Sequence, residues 1–159
     1  MKGDKKILEI LNGLLAGELS TSDQCLIDGE MYADFGLNQL AEKSLHESEH
    51  ERQHARALIQ RILFLEGTPN LVKREALTVG SAVPEMLKAD LKVEYHVVGE
   101  LKKAIAACEK AEDYVSRNML TVQLEDTEMD HAYWLEQQLR LIDLVGLENY
   151  QQSQMKPGI

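Results

Sequence analysis

The chain has few of the residues that build β-structure or stapled folds. Aromatic residues fill only 5% of its 159 positions, so any core must be mainly aliphatic. Its only prolines are Pro69, Pro84 and Pro157, and the stretches between turns are rich in Leu, Glu, Ala, Lys and Gln, a helical composition. Clusters of Val, Thr, Ile and Tyr bounded by turn residues, the mark of an all-β chain, are missing. Its two cysteines, Cys25 and Cys108, match no zinc or redox spacing and suggest a reducing, cytoplasmic setting. Basic residues are also scarce: 17 Lys and Arg stand against 27 Asp and Glu, a formal net charge of −10. That balance argues against the basic face needed for nucleic acid and fits attraction of cations. No apolar run reaches membrane-spanning length, and Glu9 and Asn12 interrupt the apolar N-terminal stretch that would otherwise resemble a signal peptide.

What is present is helical periodicity. Apolar residues recur at helical spacing through four long segments, about 5–34, 37–66, 84–111 and 113–144, with a short fifth at 147–155. Gly36, Gly67-Thr68-Pro69-Asn70 and Gly146 punctuate them, and Pro84 suits the first position of the third helix. Pro157-Gly158-Ile159 is expected to fray. Gly13, Gly17, Gly29 and Gly99 fall inside helices, where they weaken them, and are read as close helix contacts. Two short connections make hairpins, and one long connection from about 67 to 83 can cross a bundle. The expected fold is all-α: residues 1–159 as a single domain, a four-helix bundle with one long crossover and a short C-terminal helix, the ferritin-like arrangement.

Each of the four apolar stripes is broken near mid-length by acid. Glu18 interrupts the first and Glu94 the third; Glu51 and His54 interrupt the second, Glu128 and His131 the fourth. Residues three apart share a helix face, so each Glu-x-x-His can aim both side chains at one point. Glu18 precedes Glu51 by 33 residues and Glu94 precedes Glu128 by 34, so the pattern repeats in two hairpins. Packed antiparallel, the hairpins bring four carboxylates and two imidazoles to one level. Four buried carboxylates would be very costly unpaired, whereas two divalent cations would neutralise them. Oxygen and imidazole donors suit iron or manganese. This is the ligand set of ferritin-like di-iron carboxylate proteins. Glu47-x-x-His50 is a competing pair, but lies about 40° further round the helix.

The sequence resembles the bacterioferritins over nearly its whole length. The resemblance is carried by MKGDKKILEILN, HESEHERQHA, RILFLEGTPNL, VSRNML and HAYWLE. It implies a ferroxidase that oxidises Fe(II) with oxygen or peroxide and stores the ferric mineral inside a hollow shell of about 24 subunits. Residue by residue, the family's ligands fall on Glu18, Glu51, His54, Glu94, Glu128 and His131. Glu51 and Glu128 would bridge two irons, Glu18 and Glu94 would be terminal, and each histidine would hold one iron. The family's inner-surface iron site matches at His46, with His50 at its second position and Glu47 alongside. Haem-binding members carry a methionine where this chain has Arg52, which has no lone pair to give a metal. A homo-oligomer should therefore lack haem, and the shell is either homomeric or mixed with a second, haem-ligating subunit. A ferredoxin is the implied electron donor for iron release. Cys25 stands where many members have a tyrosine near the metals. It reads as a small buried hydrophobe.

Two other readings compete. A rubrerythrin-like peroxide reductase shares the ligand pattern, but normally adds a module with paired Cys-x-x-Cys motifs that two isolated cysteines cannot form. A metal-independent helical interaction protein would show no response to metal in stability or assembly.

Overall fold

The computed structural model describes residues 1–155, so the expected fraying at Pro157-Gly158-Ile159 lies outside the described residues. The elements are helices α1 (Lys5–Asp34), α2 (Asn38–Phe64), α3 (Val83–Lys110), α4 (Tyr114–Asp126), α5 (Tyr133–Val145) and α6 (Leu147–Gln154). A π-helical segment, Thr127–Ala132, joins α4 to α5. The architecture is the expected all-α bundle. The fourth long helix differs from expectation because it is interrupted by this wider turn. Such π segments occur mostly as single-turn insertions, frequently at functional sites.

Local chemistry explains the boundaries. The Asp4 carboxylate accepts hydrogen bonds from the N–H groups of Lys6 (2.7 Å) and Ile7 (3.2 Å), capping α1. Gly36, at φ 80°, closes α1, and the Leu37 N–H returns 2.9 Å to the Tyr32 carbonyl. At the end of α2 the left-handed residue is Glu66 (φ 61°), and Gly67 serves a different purpose. A Cβ on Gly67 would fall 2.5 Å from a methyl carbon of Leu8, so the glycine permits close passage over α1. Pro84 sits in the first turn of α3, which starts one residue earlier than expected, at Val83.

The four interior glycines were expected at close helix contacts, and only Gly29 is one: a Cβ there would lie 2.7 Å from Leu45 on α2. Gly13 and Gly99 face open space, and Gly17 has only the Glu75 carboxylate nearby at 3.9 Å. Beside Gly29, serines tie α1 to α2. Ser22 Oγ donates to the Ser48 carbonyl (2.8 Å), Ser48 Oγ to the Ser22 carbonyl (2.8 Å), and Ser44 Oγ to the Cys25 carbonyl (3.0 Å). The crossover after α2 lies along α1, with the Glu75 N–H donating to Ser20 Oγ at 2.7 Å.

The apolar interior is divided in two. One cluster centres on Leu11, Leu15, Leu58, Ile62, Leu101 and Leu120, and the other on Tyr32, Leu40, Met86, Leu87, Leu135 and Tyr150. Full burial of each such aliphatic side chain is worth about 1.5–3 kcal/mol, so both ends are firmly held. Near mid-length the buried residues include Glu18, Glu51, His54, Glu94, Gln123, Thr127 and His131 instead. No described helix is long and apolar enough to cross a membrane.

Candidate metal centre

The polar layer is organised around Glu51, whose two carboxylate oxygens reach in opposite directions. Oε2 lies 3.0 Å from His54 Nδ1 and Oε1 lies 2.7 Å from His131 Nδ1. His54 Nδ1 is also 3.6 Å from Glu18 Oε2, and His131 Nδ1 is 3.6 Å from Glu94 Oε2. Donor atoms therefore fall into two fully buried groups, Glu18–Glu51–His54 and Glu51–Glu94–His131, with Glu51 in both. The helix pattern accounts for this. Glu51 and His54, three residues apart on α2, share a face, while Glu18 on α1 and Glu94 on α3 meet it from either side.

Glu128, the sixth expected ligand, is not brought in. Its side chain is 44% exposed and pairs with Lys102 at 3.0 Å, whereas His131 is 2% exposed. Bonding from i to i+5 widens the turn, so Glu128 and His131 no longer share a face. Thr127 takes the buried position instead, its hydroxyl donating 2.8 Å to the Gln123 carbonyl.

Two other residues crowd the site. Glu47 Oε2 lies 2.6 Å from His131 Nε2, and Asp126 Oδ2 lies 3.0 Å from His54 Nε2. His50 sits between them, with Nδ1 3.1 Å from His131 Nε2 and Nε2 3.7 Å from Asp126. Two further groups that could hold a cation result, Glu47–His50–His131 and His50–His54–Asp126. Of the expected secondary trio, Glu47 and His50 are thus drawn into the main cluster. His46 stays 74% exposed, 3.6 Å from Glu47. Asp126 escaped the sequence reading because its partner is 72 residues away on another helix, with no periodic signal joining them.

The electrostatics fit a cation-binding site. Burial, then the Glu51 charge, raises the Glu18 carboxyl well above the usual range; burial likewise raises Glu94. Burial also opposes ionisation of Glu51, but the neighbouring Glu18 carboxyl and the His131 and His54 imidazoles outweigh it and hold this carboxyl well down. For His54, burial disfavours the charge while Glu18 and Glu51 push it up to about 11. His131 is raised further by Glu47, Glu51 and Glu94, again against its own burial. Glu47, despite burial, is held down to about 2 by His131 and Lys43. The raised proton affinities of the imidazoles and of Glu18 and Glu94 thus offset the cost of a layer that would otherwise carry several buried negative charges. Four buried atoms in this layer, Glu18 Oε2, Glu47 Oε2, Glu94 Oε2 and His131 Nδ1, make no aligned hydrogen bond. Buried polar atoms are normally bonded. Unfilled oxygen and nitrogen donors around a shared carboxylate fit hard-to-intermediate divalent metals such as iron.

A four-helix bundle with one long crossover and a buried carboxylate–histidine layer defines the class of ferritin-like di-metal proteins. Comparison with known proteins agrees. A family model described as a ferritin-like domain matches residues 8–145. The chain is 54% identical to a bacterial ferritin of Pseudomonas aeruginosa over 155 residues, covering 98% of this chain and 100% of that one. It is 52% identical to a bacterial ferritin of Synechocystis (98% and 99% covered) and 40% identical to a bacterioferritin of Brucella melitensis (99% and 98% covered). The chain belongs to the ferritin family, among the bacterial ferritins and bacterioferritins.

Proposed function

We propose that this ferritin stores iron and oxidises Fe(II) at the buried centre before the metal is mineralised. The observation that carries this reading is the position of Glu51, which faces both donor groups and can join two cations. Glu18 and His54 would hold one Fe(II), Glu94 and His131 the other. Two divalent cations would displace the protons that neutralise the layer. Iron here is substrate, and dioxygen or peroxide accepts its electrons.

Glu128 is retained as the sixth ligand. Its link to Lys102 is a surface ion pair between two substantially exposed groups. Such pairs are typically worth about 0–1 kcal/mol, so exchange for two cations is energetically accessible. Glu47 and His50 would serve iron leaving toward the inner side, with the exposed His46 beyond them.

The assembly we propose is a hollow shell of about 24 subunits, homomeric or mixed with a second subunit type. Arg52 is exposed and offers no ligand atom, so haem would have to be held by such a partner. A ferredoxin is the proposed reductant for release. The free, buried cysteines Cys25 and Cys108 suit a reducing cytoplasm.

The test is an anaerobic Fe(II) titration of the assembled protein followed by oxygen, read by absorbance, with particle size measured in parallel. Saturation near two irons per chain, fast oxidation and a large shell are expected. No stoichiometric uptake together with a small oligomer would sink the proposal in favour of a metal-independent helical protein.

A further inference from the structure

Two glycines of α1 that no helix contact explains border a groove. A Cβ on Gly13 would meet nothing within 4 Å, and one on Gly17 only the Glu75 carboxylate at 3.9 Å. Glycine weakens a helix interior relative to alanine, and neither residue has the positive φ that would call for it. Both line an open groove of about 410 Å³ between α1, α3 and the crossover. On α1 the groove is formed by residues 10, 13, 14, 17 and 18, one helical stripe that ends at Glu18. The volume is many times the roughly 30 Å³ share of one water.

Glu18 is 2% exposed, belongs to the Glu18–Glu51–His54 donor group and has a buried Oε2 with no aligned hydrogen bond. The groove thus joins the surface to the edge of the metal centre, whereas the two apolar clusters fill the bundle on either side of it. Leu14, Val97 and Ala104 give the groove apolar walls. At its mouth the formal charges cancel, Lys73 and Lys103 standing against Glu75 and Glu100. The acids there are engaged as well: Lys103 Nζ donates to Glu100 at 2.7 Å, and His96 Nε2 lies 3.7 Å from Glu75 Oε1. In a chain of net charge −10, this is a neutral entrance. A cation would lose hydration against the walls with no net charge to draw it in. A small neutral gas gains by leaving water for the same surface.

We propose that dioxygen reaches the metal centre through this groove, past Gly13 and Gly17 to the Glu18 side, apart from the Glu47–His50 side used by iron. The inference rests on the ferroxidase reading and deepens it, because it assigns the oxidant its own path. Gly13 and Gly17 keep that path open: a larger side chain at either position would project into the space that the gas crosses. The cost to the helix of two interior glycines one turn apart is thereby explained by access and not by packing.

The test compares the assembled wild type with two double variants, Gly13→Leu with Gly17→Leu and Gly13→Ala with Gly17→Ala. Crystals of the metal-free shell under xenon pressure should hold xenon beside Leu14 and Val97 in wild type and none there in the leucine pair. Anaerobic Fe(II) titration should give the same stoichiometry and loading rate in all three. With Fe(II) bound, the dependence of oxidation rate on dioxygen concentration should fall roughly tenfold in slope for the leucine pair and stay within about twofold of wild type for the alanine pair. An empty groove in wild type under xenon, or an unchanged slope in the leucine pair, overturns the route. An equal loss in both pairs assigns the effect to a stiffer α1 and overturns it too. Slower Fe(II) loading with an unchanged dioxygen slope makes the groove a metal path instead. A wild-type shell that binds no Fe(II) rejects the ferroxidase reading, and the dioxygen route falls with it whatever xenon shows.

Discussion

Glu128 and His131 stand three positions apart, yet His131 is 2% exposed inside the metal layer while Glu128 turns outward to Lys102, 3.0 Å away. In an uninterrupted α-helix the two would share a face. The π segment from Thr127 to Ala132 separates them and leaves Glu128, the proposed second bridge, outside a centre whose other five expected ligands are assembled.

The Glu128–Lys102 pair should matter for loading and little for folding. Lys102→Ala is expected to change stability by less than about 1 kcal/mol, because both groups are substantially exposed. Glu128→Gln should likewise leave the metal-free Tm nearly unchanged but weaken the second metal equivalent at least tenfold. Thermal melts with and without Zn(II), alongside calorimetric titration, measure both. A large loss of metal-free stability in Glu128→Gln would contradict the outward placement.

Glu51→Gln should separate the two donor groups. It removes the charge between His54 and His131, and leaving one partner of a buried pair uncompensated costs on the order of 3–5 kcal/mol. Added Co(II) or Zn(II) should then raise Tm far less than in wild type, since only metal bound to the native state stabilises it. An unchanged metal-induced Tm shift would remove Glu51 from the bridging role.

The site ties stability to pH in both directions. Glu47, held down to about 2 in the fold, contributes stability that is present above its unfolded value of about 4.5 and is lost as pH falls through 2. His54, raised to about 11, contributes stability that is full below about 6.5 and is lost as pH rises through 11. Metal must displace the imidazole protons, so affinity for Zn(II) should strengthen from pH 6 to pH 8, with protons released on binding. Titrations in buffers of different ionisation enthalpy count those protons. Zero release would contradict the protonated network.

The glycines give a contrast within one helix. Gly29→Ala places a Cβ 2.7 Å from Leu45 on α2 and should cost about 1–3 kcal/mol by overpacking. Gly13→Ala meets open space and should stabilise α1 by about 0.5–1 kcal/mol. Denaturant melts of the two variants should therefore move in opposite directions.

The sequence by itself determined the helices, the crossover and the level of the site, because these depend on local signals. Stripes such as Leu11, Leu14, Leu87 and Leu91 repeat at the helical period, and Glu18, Glu51, His54 and Glu94 interrupt them at positions that face inward wherever a regular helix is packed. The same logic misplaced Glu128, since nothing in its spacing to His131 reveals a widened turn. It ranked Glu47 and His50 behind Glu51 and His54, and it passed over Asp126, whose contact with His54 spans 72 residues. It also could not distinguish Gly29, pressed against α2, from Gly13 in open space. Those outcomes were decided only by tertiary structure: periodicity identifies the face a residue occupies along its own helix, while the packing of one helix against another decides which side chains meet there and where the backbone must yield.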